Sequence, residues 1–126
     1  MKTIILKLPF SSSAFMNGIS FRDLPNRGTS FDFSYENELG EFVSGCIVFA
    51  GAVSIRITYF PAITGEMIVD SYDRIVDMGM TRELIEVSAA ISKNGKRELS
   101  LKHYRVCFDD GPCLDIICMK FELKAF

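Results

Sequence analysis

His103, the single histidine, stands four residues before Cys107, with Asp109 and Asp115 close behind. Imidazole, thiol and carboxylate are the groups of a base-activated nucleophile, in which the base lowers the thiol pKa and the acid orients the base. The spacing argues against that assembly. Four residues of strand span about 13 Å, so His103 and Cys107 can share a face without reaching each other, and a surface histidine beside a semi-buried cysteine is expected. Cys107, Cys113, Cys118 and His103 also suggest a metal set. Structural zinc, however, takes closely spaced cysteines on tight knuckles, and no knuckle of that kind is evident. Cys107 and Cys113 could hold a thiophilic ion, oxidise together or stand as plain sheet residues, and Cys46 reads as core. Asp109-Asp110 and the acids of 36–41 are turn formers, because an aspartate side chain bonds the backbone two residues on. Gly40, Gly45 and Gly51 neither match a phosphate loop nor open a helix. No catalytic, metal or cofactor residue is assigned, and the chain is expected not to be an enzyme.

The elements that would position these groups are clearest near the C-terminus. In 102–108, Tyr104, Val106 and Phe108 share one face of a strand, while His103, Arg105 and Cys107 share the other. Asp109-Asp110-Gly111 suits a three-residue hairpin loop with Gly111 left-handed. That loop sets Cys107 opposite Cys113, Arg105 opposite Asp115 and His103 opposite Ile117, and it matches apolar residues on the other face. Ile116-Ile117 then breaks the alternation before Met119, Phe121 and Leu123, which predicts a bulge or burial of both faces. Residues 102–123 are thereby expected to form one antiparallel ribbon.

Upstream, Thr81 can cap a helix over about 82–93. Glu83 and Glu86 complement its positive end, Leu84, Val87 and Ile91 form an apolar stripe, and Asn94-Gly95 closes it. Strands are expected at 3–8, 31–35, 42–50 and 53–59, the third covered on both faces. Weaker β signal runs from Glu66 to Met78, and Asn17-Gly18 suggests a small hairpin within 14–21. Asn26-Arg27-Gly28 is turn chemistry. The fold class expected is α+β: a curved antiparallel sheet of about six to eight strands, with one amphipathic helix packed on it before a C-terminal hairpin, in a single domain of residues 1–126.

A chain of 126 residues with 48% apolar content, eleven Phe, four Tyr and no Trp can build one core. Its net charge of −2 does not fit a protein that binds nucleic acid through its whole surface. Charge is uneven, however: between Glu66 and Glu86 six acids face two arginines, and the sign reverses between Lys93 and Arg105. Lys7 and Pro9 interrupt the N-terminal apolar run, and Arg56 interrupts the longest candidate span. Neither an export signal nor a membrane segment is therefore expected, and a cytoplasmic location with reduced thiols follows.

The string HYRVCFDDGPCLDIIC at 103–118 resembles the C-terminal hairpin, H-Y-R-x-x-F-D-D-G-x-C, of small uncharacterised bacterial β-rich proteins. Some of these resemble immunity proteins of polymorphic-toxin systems. Cys107 and Leu114 depart from that pattern, and no catalytic residue is carried over. The resemblance implies a binding function: a protein partner, a cationic toxin domain in the immunity case, with neither nucleic acid nor membrane engaged. Acidic Asp70, Asp73, Asp77, Glu83 and Glu86 would steer such a partner, with Tyr72 as an aromatic anchor. The alternative is a small-molecule binder with an aromatic-lined pocket formed by residues such as Phe31, Phe33, Phe42 and Tyr59.

Overall fold

The computed structural model describes residues 2–94, 100–109 and 111–125. In chain order the elements are β1 (Thr3–Lys7), β2 (Ser20–Leu24), β3 (Gly28–Glu36), β4 (Phe42–Ala50), β5 (Ser54–Thr58), α1 (Gly65–Ile68), β6 (Arg74–Asp77), α2 (Arg82–Lys93), β7 (Lys102–Cys107), β8 (Cys113–Cys118) and β9 (Lys120–Ala125), with a 3-10 turn at Ser12–Ala14. The α+β class and the antiparallel pairing are as expected. The strands form two sheets rather than one curved sheet, in the orders β1-β6-β7-β8-β5 and β2-β3-β4-β9. The reason is burial. Phe31, Ile47 and Phe49 of the second sheet join Ile75, Val106, Leu114 and Ile116 of the first in one cluster, so each sheet covers the apolar face of the other.

The final hairpin has the expected register, with Cys107 opposite Cys113, Arg105 opposite Asp115 and His103 opposite Ile117. Every residue of β8 is buried, because its even-numbered side chains enter the shared core while its odd-numbered ones lie under the helical layer. The ribbon does not continue to 123. At Met119, whose N–H donates to the Ala50 carbonyl at 3.0 Å, the chain crosses to the other sheet, and β9 pairs with β4. β4 has the expected bounds and lies between β3 and β9, but Phe42 and Ser44 are exposed, so it is not covered along its whole length.

Thr81 caps α2, its hydroxyl accepting from the Leu84 N–H at 3.2 Å. Leu84 is the buried residue of that helix, Val87 and Ile91 are half-buried and Ile85 is exposed, so the helix docks mainly through its first turn. At its other end Asn94 has φ −82, not left-handed, and Gly95 lies outside the described residues, as do Lys96, Arg97, Glu98 and Asp110.

Two local expectations are corrected. Met67 and Ile68 belong to α1, not to a strand, because Thr64 accepts from the Met67 N–H and starts a helical turn; β6 begins only at Arg74. Asn17 and Gly18 do take positive φ, but they lead from a bridge between Phe15 and Tyr35 into β2, and no hairpin forms within 14–21. The β2–β3 hairpin turns instead at Asn26-Arg27, both with φ 60. Among the described residues no helix is long and apolar enough to cross a membrane.

Gly51 makes the sheet crossover possible. Its φ is +65, and a Cβ there would lie 2.6 Å from Met119 Sδ. Gly51→Ala is expected to lower the unfolding free energy by about 1–3 kcal/mol, read as a lower urea midpoint at unchanged m-value. Gly65→Ala, where a Cβ meets nothing within 4 Å, is the control. Equal midpoints for the two variants would refute this role.

Candidate functional site

His103 is buried, 1% exposed, not on the surface as its alternating strand position suggested. Its ring lies on the outer face of the five-stranded sheet, beneath the first turn of α2. Nδ1 is 2.7 Å from Thr81 Oγ1, and Nε2 is 2.8 Å from Asp115 Oδ1. With the proton on Nε2 facing the carboxylate, Nδ1 accepts from the Thr81 hydroxyl, whose oxygen still accepts from Leu84. Asp115 also accepts from Arg105 Nε at 2.8 Å and from Arg56 Nη2 at 3.3 Å. Burial pushes the Asp115 carboxyl up. The His103 hydrogen bond and the Arg105 charge outweigh that, and the net position is below the usual aspartate value.

Hydroxyl, imidazole and carboxylate in series have the order of a proton relay. Here the hydroxyl is committed to capping α2, and the imidazole is sealed from solvent. The network fastens α2 to the hairpin. Nor are His103, Cys107 and Asp109 brought together. Cys107 forms a disulfide with Cys113, which corrects the expectation of reduced thiols at these two positions; the two are directly opposed at the loop end of the β7–β8 ladder. Cys46 and Cys118 are free and buried, and burial pushes the Cys118 thiol up to about 12. Among the described residues no three His, Cys, Asp or Glu side chains converge as a metal set.

The six residues expected to meet a partner are divided by the structure. Asp70 pairs with Lys2 at 3.2 Å. Asp73 accepts from the Ser12 N–H through Oδ2, while its Oδ1 is buried without a hydrogen-bond partner among the described residues. Tyr72 donates to Asp109 Oδ1 at 2.8 Å. Asp77 accepts from the Gly79 N–H and lies 3.9 Å from Lys102 Nζ. Glu83 and Glu86 are exposed on α2, and the Glu83 carboxyl is held below its usual value first by its own backbone N–H at the helix start. Asp70, Tyr72 and Asp73 are thus grouped at the α1–β6 junction, Asp77 serves its own turn, and the two glutamates belong to the helix.

Beside Tyr72 lies a groove of about 480 Å³, lined by Phe60, Ile63, Ile68, Tyr72, Phe108, Asp109 and Gly111. Phe60 is 78% exposed, and Tyr59, Ile68, Val69 and Tyr72 are exposed with it. Local structure explains the cluster. Pro61 ends the strand pattern, Thr64 starts a helix of four residues, and so short a turn leaves Ile68 and Val69 outward. Phe108 is held from below by the hairpin, and the Asp109 N–H donates to Ser12 Oγ at 2.7 Å. The Tyr72 hydroxyl is held above its usual value by its bond to Asp109, then by burial and by the Asp109 and Asp73 charges. Only Tyr72 of this groove was anticipated. The missed signal was apolar Phe60, Ile63, Ile68 and Val69 flanking Pro61 and the Thr64 cap, where no regular element is long enough to bury them.

The aromatic pocket of the alternative reading is not assembled. Phe31 and Phe33 are core, whereas Phe42 and Tyr59 are 67% and 61% exposed, one opening β4 and the other following β5. A second concavity, of about 390 Å³ and running along Arg22, Asp32, Ser34, Ser44 and Cys46, has its arginine already bound to Asp32 at 3.0 and 3.3 Å.

No family model, curated protein or solved structure matches the chain.

Because the folded Asp115 carboxyl titrates below its unfolded value, its stabilisation is full above the usual aspartate range, about pH 4, and is lost as pH falls through the folded value. Asp115→Asn is expected to cost about 3 kcal/mol at neutral pH and to flatten the loss of stability on acidification. Urea midpoints between pH 2 and 6 check this; the slope that remains belongs in part to Asp32 and Glu83, also lowered. Identical slopes for variant and wild type would contradict the network. Cys118 is expected to resist alkylation at pH 8 in the native chain and to react fully in urea, as read by mass spectrometry.

Proposed function

We propose that this chain is a noncatalytic protein-binding module, in the form of an immunity protein that neutralises a toxin domain, and that its partner docks on the groove beside Tyr72. The observation that carries the reading is the gathering of Phe60, Ile68 and Tyr72, all exposed, around one concavity. Contiguous exposed apolar surface rimmed by polar groups is characteristic of interaction sites, and aromatic anchors supply most of the binding energy in such sites. The groove is bounded mainly by apolar side chains, which suits an inserted apolar side chain. The immunity role rests on the C-terminal hairpin sequence, and the acids at Asp73 and Asp109, which form no ion pair among the described residues, suit a cationic partner. The noncatalytic reading is supported by the separate commitments of His103, Cys107 and Asp109. A cytoplasmic site of action is part of the proposal.

The test is co-purification and titration calorimetry with the product of the adjacent gene. Phe60→Ser and Tyr72→Ala are each expected to weaken binding by about 30-fold or more, the scale of an interface hot spot. Phe42→Ser, also at an exposed aromatic but in the other sheet, should change affinity by less than about twofold. If Phe42→Ser weakens binding and Phe60→Ser does not, the groove is not the docking site.

A further inference from the structure

We infer that the segment received by this groove carries an apolar side chain next to a lysine or arginine, the apolar group entering among Phe60, Ile68 and Phe108 and the cation settling on Asp109. The inference rests on the docking reading and specifies the chemistry of the partner. The lining of the groove is apolar apart from the Tyr72 hydroxyl and one carboxylate, Asp109. Asp109 and Asp73 are linked through Ser12, whose N–H donates to Asp73 and whose hydroxyl accepts from the Asp109 N–H. Among the described residues neither carboxylate forms an ion pair. Asp109 is half-buried, and its Oδ1 is occupied by the Tyr72 hydroxyl, which leaves Oδ2 for an incoming donor.

A carboxylate in that position discriminates among partners. Any segment that fills the apolar wall strips water from Asp109, and desolvating a carboxylate is costly unless a cation replaces the water. A lysine or arginine beside the apolar anchor supplies that replacement with a charge-assisted hydrogen bond. A neutral neighbour leaves the cost uncompensated, and an acidic one adds repulsion, so the rejection of wrong partners is built into the same residue.

The experiment titrates the 15N-labelled full chain with capped hexapeptides that differ only in a central pair: Leu-Lys, Leu-Gln, Leu-Glu or Ala-Lys. The Leu-Lys peptide is expected to shift the amides of Ile68, Tyr72 and Asp109 and to bind about fivefold more tightly than Leu-Gln, the scale of an exposed ion pair, with Leu-Glu and Ala-Lys weaker still. Asp109→Asn keeps an oxygen for the Tyr72 hydroxyl, so its spectrum should remain native while the preference for lysine disappears and the Leu-Gln affinity is retained. Equal binding of the Leu-Lys and Leu-Gln peptides to the wild type would overturn the inference and leave the groove as a docking site. Equal binding of Ala-Lys and Leu-Lys would overturn it by removing the apolar anchor. Groove amides that stay unmoved by every peptide, while Phe60→Ser still weakens the natural complex, would also overturn it. Loss of the Phe60 effect on the natural complex is the separate failure of the docking reading.

Discussion

Asp115 is a carboxylate placed where a carboxylate is expensive. Its side chain is 5% exposed, and removing such a group from water costs several kcal/mol unless donors surround it. They do, and they come from separate elements: His103 and Arg105 from β7, Arg56 from β5, and Thr81 indirectly through the imidazole. The requirement couples the parts of the fold. The hairpin must hold Arg105 opposite Asp115, β5 must bring Arg56 to the same rung, and α2 must begin where Thr81 can bond both Leu84 and His103. A slip of one residue in the β7–β8 register would turn the carboxylate into the apolar core beside Val106, so the charge acts against misregistration as well as for stability.

The same register governs the other face and the far end of the hairpin. With Arg105 opposite Asp115, Val106 and Leu114 must face inward together, and Cys107 must meet Cys113. The last rung of the β7–β8 ladder and the Phe108 N–H bond to the Pro112 carbonyl close the base of the loop from which Phe108, Asp109 and Gly111 line the groove. A docking surface on a pinned hairpin loses little side-chain and loop freedom when a partner arrives, which is the usual advantage of preorganisation. Only the wall formed by Phe60, Ile63 and Ile68 lies on short or irregular chain.

What could be read from the sequence was what local chemistry decides. The hairpin register followed from alternation, an Asp-Asp-Gly loop and one opposite-charge pair, all within seventeen residues. The bounds of α2 followed from Thr81 and from charges suited to its ends. What could not be read depends on which distant surface covers a residue. Period two and the hairpin register assign His103 and Asp115 to one face of the β7–β8 hairpin but do not say whether that face meets water or a helix; it meets a helix, and the histidine is buried. The division into two sheets was hidden for a like reason, since the alternation of Met119, Phe121 and Leu123 fits pairing with β8 as well as with β4. α1 was missed because Met67-Ile68-Val69 is rich in strand-forming types, and the Thr64 cap outweighs that preference over a single turn.

The acidic residues show how a composition argument changes once coordinates assign each charge. Six acids in twenty-one residues suggest a continuous field, but Asp77 is bound to its own turn, Asp70 is offset by Lys2, and Glu83 and Glu86 belong to a different element. What remains near the groove is Asp73, with an unpartnered oxygen, and Asp109, which no count of the 66–86 segment includes. The Asp73 oxygen is buried outside the lining, whereas Asp109 lines the groove and forms no ion pair among the described residues. The aromatic cluster and the uncompensated charge therefore lie on the same few residues, and a partner satisfying one while ignoring the other would forfeit much of the energy gained by docking there.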